Sequence, residues 1–252
     1  MRIVVTDLTR MQRGYVCVAG VDLEQRRHVR PVLGDARLPT SVLARHGGPF
    51  DLATVVELAT TEPTPVRPKV EDHEFSPRQA KSVQRMEPAA FWELLTALAK
   101  PRLGAIFGPE LRKHTGGSAT VRSGEGRASL GCLAPSSRPE LYRKPRERGP
   151  DQVRVKVSDG DTELDLSVTD IRLYGSDHVT PDTDAMQRVS ERIAGGTGLL
   201  VSVGLTRPFS SSPSSPPVHW LQVNNIHLED DPTWRLGSES RLRRLIRLIF
   251  DF

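Results

Sequence analysis

The sequence predicts a mainly β fold with a few helices, arranged as two small modules in tandem. Three observations lead there. Short valine-rich runs broken by polar turns fill the first half, an alternating hairpin pattern opens the second, and a basic, proline-bearing stretch lies between them.

The first module is expected to open as a β-meander. Ile3 to Thr6, Tyr15 to Val21 and His28 to Leu33 are apolar runs separated by Arg13-Gly14 and by Gln25-Arg26-Arg27, and Thr54 to Leu58 supplies a fourth strand. Residues 62–69 read as irregular, because Pro63, Pro65 and Pro68 remove ladder donors and fix φ. A helix follows: Pro88 suits a first turn, and Phe91, Leu94, Leu95 and Leu98 share one face before Pro101 stops the run. Residues 116–131, GGSATVRSGEGRASLG, read as a glycine- and serine-rich loop. Its backbone could approach a ligand closely at Gly124, Gly126, Ser129 and Gly131.

Residues 138–150 are expected to connect the modules, dividing the chain into an N-terminal module (1–137), a linker (138–150), a C-terminal module (151–234) and a tail (235–252). In the second module Val153, Val155 and Val157 alternate with polar residues, Asp159-Gly160-Asp161 turns the chain, and Leu164, Leu166 and Val168 alternate back. Ile171, Leu173 and Tyr174 extend this pattern. Asp182 or Thr183 can cap a helix carrying Met186, Val189 and Ile193, ended by Gly195-Gly196, with strands at 199–205 and 218–228 beyond it. A helix interrupting a short antiparallel meander is compatible with an OB-like barrel. In the tail, Leu242, Leu245, Ile246 and Ile249 with Phe250 make an apolar stripe beside arginines. The stripe is expected to dock on a protein surface, of this chain or a partner, in preference to a membrane.

Composition narrows the function. At 37% hydrophobic content the chain can form real cores, and no stretch reaches the roughly 18 uncharged apolar residues of a membrane span. With Asp7 and Arg10 interrupting the first apolar run, no signal-peptide core builds up, so a soluble, cytoplasmic protein is expected. Cys17 and Cys132 are too few for a disulfide framework and read as small buried hydrophobes. Of the 35 basic residues only 6 are lysine, and arginine forks bind phosphate bidentately and stack on bases. The net charge of +4 is a mild pointer to a polyanion.

No catalytic or cofactor motif is complete. No H-x-x-x-H or H-E-x-x-H pair exists, and the third glycine of the Gly124-Gly126 loop falls one place late for a dinucleotide fingerprint. No resident metal or cofactor is therefore expected. Asp7, Asp22 and Asp170, or Glu125, could be imagined around a metal, although aspartate at strand ends more often bonds local amides. The binding reading assigns phosphate contacts to Arg30, Arg127, Arg143, Lys144, Arg146, Arg172 and Arg207, and base stacking to Tyr142, Phe209 and Trp220. Trp220 is equally suited to a core.

VVTDLTRMQRGYVCVAGVD with HVRPV, then GEGRASLG, VTDIRLYG, GLTRPF and HWLQVNNIHL, together resemble the prokaryotic dual OB domain-containing proteins over most of the chain. The resemblance implies two OB-like modules in tandem, each a small Greek-key barrel, that bind nucleic acid or a nucleotide in a setting of mobile or antiviral-defence loci, and the binding reading expects single-stranded DNA or RNA. It supplies no catalytic residues. A nucleotide or modified-base sensor acting on an effector, and a metal-dependent nucleic-acid-processing enzyme, are the alternatives.

Overall fold

The valine-rich N-terminus becomes β1 (Arg2–Arg10), the middle of the first sheet. In the computed structural model, residues 1–11, 14–147, 149–210, 212 and 214–234 are described. β1 pairs antiparallel with β2 (Tyr15–Asp22), with a bulge between Val5 and Asp7, and with β5 (Thr54–Glu57) on its other edge. Beyond β2 come β3 (His28–Val32) and the short β4 (Leu38–Pro39). β7 (Asp72–Phe75) runs parallel to β3 and carries the edge strand β6 (Thr61–Pro63), while β8 (Lys81–Arg85) closes the other side on β5.

A regular apolar-polar alternation is missing from β1 because both of its faces are covered, and a strand buried on both sides reads as a continuous apolar run. Ile3, Val5 and Leu8 pack with Val18, Val29, Phe50 and Val56 on one face. On the other, Val4, Val21 and Val55 meet Phe91, Leu94 and Leu95 of α1 (Pro88–Leu98), together with Cys132 and Leu200 from the second half. Pro88 sits in the first turn of α1, as its fixed φ allows.

The second sheet is ordered β11-β15-β16-β10-β9, and its first three strands in sequence come early: β9 (Arg112–Lys113), β10 (Ala119–Arg122) and β11 (Leu130–Leu133). α2 (Leu103–Phe107) precedes them. β15 (Leu199–Leu205) and β16 (Val218–Leu228) pair with β11 and β10. A three-stranded sheet, β12 (Glu140–Lys144), β13 (Gln152–Ser158) and β14 (Glu163–Ser167), joins β16 through the Val168 to Val223 bridge. α3 (Thr183–Ala194), capped by the Asp182 carboxylate on the Ala185 amide, buries Ala185, Met186, Val189 and Ile193 in this core.

Several local expectations change. Residues 116–131 are not one loop, since β10 lies within them and β11 begins at Leu130. Residues 138–150 carry β12, bonded along its length to β13. One apolar core runs from Leu103 to Trp234, so hydrogen bonding and burial in the second half begin well before residue 138. Residues 62–69 start on β6, whose Pro63 is tolerated because the strand lies at the sheet edge. Ile171 to Leu173 form a 3-10 turn rather than a strand extension. The tail residues Leu242, Leu245, Ile246, Ile249 and Phe250 lie outside the described residues.

The two halves meet where β1 runs against β16. The Leu8 amide donates to Asn225 Oδ1 at 2.9 Å, and the Arg10 amide donates to the Thr169 carbonyl at 2.9 Å. Beside them Arg172 donates from Nε to Asp170 Oδ1 at 2.9 Å and from Nη2 to Asp170 Oδ2 at 2.7 Å. The guanidinium also donates to the carbonyls of Ile226 and Trp234 and lies 3.9 Å from the Trp234 ring centre. Asp170 is fully buried. Replacing it with alanine leaves Arg172 as an uncompensated buried charge, so Asp170→Ala should cost about 3–5 kcal/mol in urea unfolding at neutral pH. A loss under about 1 kcal/mol would mean that the pair is not fixing this junction.

Candidate nucleic-acid interface

A cavity of about 580 Å³ opens between the two halves, with β1 to β3 on one wall and the ends of β15 and β16 on the other. Arg10, Arg30, Arg37, Lys69 and Arg207 line it, against the carboxylates of Asp35 and Asp72. Arg30 stands in β3 opposite Asp72 in the parallel register, which is why its Nε donates to Asp72 Oδ1 at 2.6 Å. Arg30 is only 8% exposed, and its Nη2 has no hydrogen-bond partner among the described residues. Arg10 donates from Nη1 to the His178 carbonyl at 2.8 Å with its guanidinium over the Tyr174 ring, and its buried Nε likewise has no partner among the described residues. Arg37 lies over Tyr15.

On the opposite wall, Arg207 and Phe209 follow β15. Reciprocal backbone bonds between Phe209 and Val218, at 3.1 and 3.2 Å, hold this turn against the start of β16. Phe209 is 51% exposed, although its ring stacks on Trp220 with centroids 5.8 Å apart and planes 26° from parallel. His114 flanks Trp220 at 6.3 Å between ring centres. The Trp220 indole is part-buried and braced, and Phe209 presents an aromatic surface at the cavity rim.

Of the ten residues expected to touch nucleic acid, Arg30, Arg207 and Phe209 line this cavity, and Trp220 supports Phe209. The others do not come to it. Arg127 donates to the carbonyls of Gly104, Ala105 and Ile106 in the short α2, where Gly104 already accepts from the Gly108 amide. Arg172 is consumed by Asp170 and two carbonyls, and is no phosphate contact. The Tyr142 hydroxyl donates to Asp165 Oδ2 at 2.8 Å beside the Arg154 to Asp165 ion pair, and burial and Asp165 push its pKa up. Arg143 pairs with Asp151 at 3.3 Å, while Lys144 and Arg146 are exposed along and just after β12. Arg10, Arg37 and Lys69 are lining residues that sequence reasoning missed. Arg10 merely ends a strand, and Lys69 sits in the proline-rich stretch that reads as irregular.

The glycine-rich loop serves the fold. Gly124 and Gly126 have φ of +82° and +81°, which side-chain-bearing residues rarely adopt. A Cβ on Gly131 would collide with Ile106. Ser129 is fully buried, donating from Oγ to Glu71 Oε2 at 2.8 Å while its amide donates to Oε1 at 2.8 Å. This carboxylate ties the first sheet's margin to β11.

Asp7, Asp22 and Asp170 do not assemble a metal centre: among the described residues no group of three or more His, Cys, Asp or Glu could hold an ion. Asp22 accepts from the Glu24 and Gln25 amides, a local turn. Glu125 pairs only loosely with Arg122 at 3.9 Å. Cys17 and Cys132 are free thiols whose pKa burial pushes up. Asp7, Ser202 and His227 form a buried chain. Asp7 bonds Thr6, Ser202 and Asn224 side chains, and Ser202 Oγ lies 3.0 Å from His227 Nε2. A hydrolytic triad needs the histidine between serine and carboxylate, with the serine open to substrate. Here the serine stands between, all three are buried, and burial pushes His227 down to about 3.

Two curled, mostly antiparallel sheets in succession, each around its own apolar core, define a tandem OB-like protein. A family model for the dual OB-containing domain matches residues 1–226, and the chain belongs to that family. No curated protein and no solved structure matches it. Among the described residues, no helix is long and apolar enough to cross a membrane.

Burial raises the Asp7 carboxyl from its ordinary 3.8 to about 6, outweighing the hydrogen bonds from Thr6, Ser202 and Asn224. The folded state therefore holds this proton more tightly than the unfolded chain. The resulting stabilisation is fully present below about pH 4 and is lost as pH rises through about 6, and a shift of this size corresponds to about 3 kcal/mol. Asp7→Asn cannot titrate. Relative to that variant, the wild type should lose about 3 kcal/mol of unfolding free energy between about pH 4 and pH 8. A flat difference across that range would show that Asp7 ionises like an exposed carboxylate.

Proposed function

We propose that the cleft between the two halves binds single-stranded nucleic acid without chemically altering it. The observation that carries this reading is the convergence of Arg30, Lys69 and Arg207 with the exposed Phe209 ring on one cavity. Cations along a groove track a phosphate backbone, and an aromatic face stacks a base whatever its identity. Trp220 behind Phe209 limits the ring's motion, so less freedom is lost when a base settles on it. OB-fold modules provide this combination of charged groove and stacking platform.

The cavity also falls within the roughly 300–1,000 Å³ of small-molecule sites, which favours a mononucleotide as the second reading. Fluorescence anisotropy with labelled single-stranded DNA, RNA and duplex tests the first. Affinity for single strands should fall with salt by about 0.7 log units per log unit for each phosphate contacted, and Arg207→Gln should lower that slope by about 0.7. Phe209→Ala should weaken binding by about 1–3 kcal/mol and leave the slope unchanged. Absence of single-strand binding at about 50 mM salt would overturn the reading.

A further inference from the structure

We propose that the inner end of this cleft is a pocket for a phosphate monoester, so that the bound strand is held by a phosphorylated end. The inference rests on the nucleic-acid reading above and deepens it. Its centre is the Arg30 guanidinium, which lines the cavity at 8% exposure with Nε given to Asp72 and Nη2 given to no acceptor among the described residues. A buried N–H without an acceptor carries an uncompensated desolvation cost, and a ligand oxygen removes that cost.

The surrounding charge suits a dianion. Lys69 and Arg207 line the same cavity, and neither side chain has a hydrogen bond or ion pair among the described residues. Lys69 and Arg30 both lie within electrostatic reach of the buried His219, whose Nδ1 is 2.7 Å from the Thr206 carbonyl. Burial lowers the His219 pKa, and the two cations act in the same direction. A terminal phosphate carries about −1.5 to −2 charges near neutral pH, whereas an internal diester carries one. A lysine sharing the neighbourhood of a half-satisfied guanidinium, with Arg207 on the facing wall, matches the former better.

Depth points the same way. Phe209, at 51% exposure, marks the rim, and Arg30, at 8%, marks the inner wall. An internal phosphodiester continues the chain in two directions, while a monoester leaves in one, toward the rim where a base can stack on Phe209. A free nucleoside monophosphate would offer the same chemistry as a strand end.

The test uses oligothymidylates of about ten nucleotides with a 5′-phosphate, a 3′-phosphate or hydroxyls at both ends, titrated by anisotropy against wild type and Lys69→Gln. One phosphorylated form should bind about tenfold more tightly than the hydroxyl form. Lys69→Gln should reduce that preference to less than about threefold with a smaller effect on the hydroxyl strand. Lys69 is part-exposed and unpaired, so its replacement spares the fold. The Arg30→Lys variant, which keeps the charge but loses the fork, should also lose the preference. Equal, measurable binding of all three strands overturns the pocket and leaves the strand reading standing, whereas no binding of any strand overturns the strand reading itself. Thymidine 5′-monophosphate then separates the sources: competition equal to the phosphorylated strand supports the pocket with a free nucleotide as its ligand, and weak competition supports it with a strand end.

Discussion

The turn against which β1 runs is held by the buried Asp170 to Arg172 ion pair. Asp170 takes both forks of the guanidinium and the Ile226 amide, and Arg172 gives its remaining donors to the Ile226 and Trp234 carbonyls. Thr9 of β1 bridges to Asp170 itself. The 170–172 turn, the end of β16 and the segment at Trp234 therefore converge on two side chains, while the backbone of Asp170 carries the bridge to β1. A buried pair of this kind adds little net stability over apolar packing, but losing one partner is expensive. Its effect is to permit one arrangement of the 170–172 turn, β16 and the segment at Trp234, and to penalise others.

The cleft follows from that arrangement. Its walls come from different halves, so its width is set by how those halves dock, and the second tie, Glu71 to Ser129 and Leu130, lies near Asp72 and Lys69. Arg30 and Asp72 are register neighbours on β3 and β7, which orients the guanidinium before any ligand arrives. Less rotamer freedom is then lost on binding than a solvated arginine would lose. Arg146, exposed just after β12, has no such carboxylate partner among the described residues.

Strands and helices were legible in the sequence wherever their pattern was local. Proline at the first turn of α1, the alternation of β13 and β14 around Asp159-Gly160, and the Asp182 cap of α3 all appear as read. What escaped was pairing across long separations. Val121 and Leu130 look like loop residues until β16 and β15, far along the chain, bury them. β12 looked like a linker because only Leu141 of its five residues is buried, and most of the rest is charged. For the site, arginine content was visible but arginine allegiance was not. Arg172 and Arg127 are as basic as Arg207, and only the nearby carboxylate or carbonyls decide which is spent on the fold.

The seam between β1 and β16 is polar where an apolar one would have been simpler. Thr6, Asp7, Ser202, Asn224, Asn225 and His227 are all buried there. An apolar face tolerates sliding by a residue with modest loss, because dispersion contacts re-form against new neighbours. A buried carboxamide does not, since Asn225 Oδ1 must meet the Leu8 amide and any slip strands both groups without water. The bulge at Val5 and Asp7 belongs to the same logic: it shifts the register of β1 so that Asp7 turns toward Ser202 and Asn224 while Leu8 stays in the first core. Asp7 bears the cost as a raised pKa. The gain is a fixed spacing between the wall that carries Arg30 and the wall that carries Arg207 and Phe209.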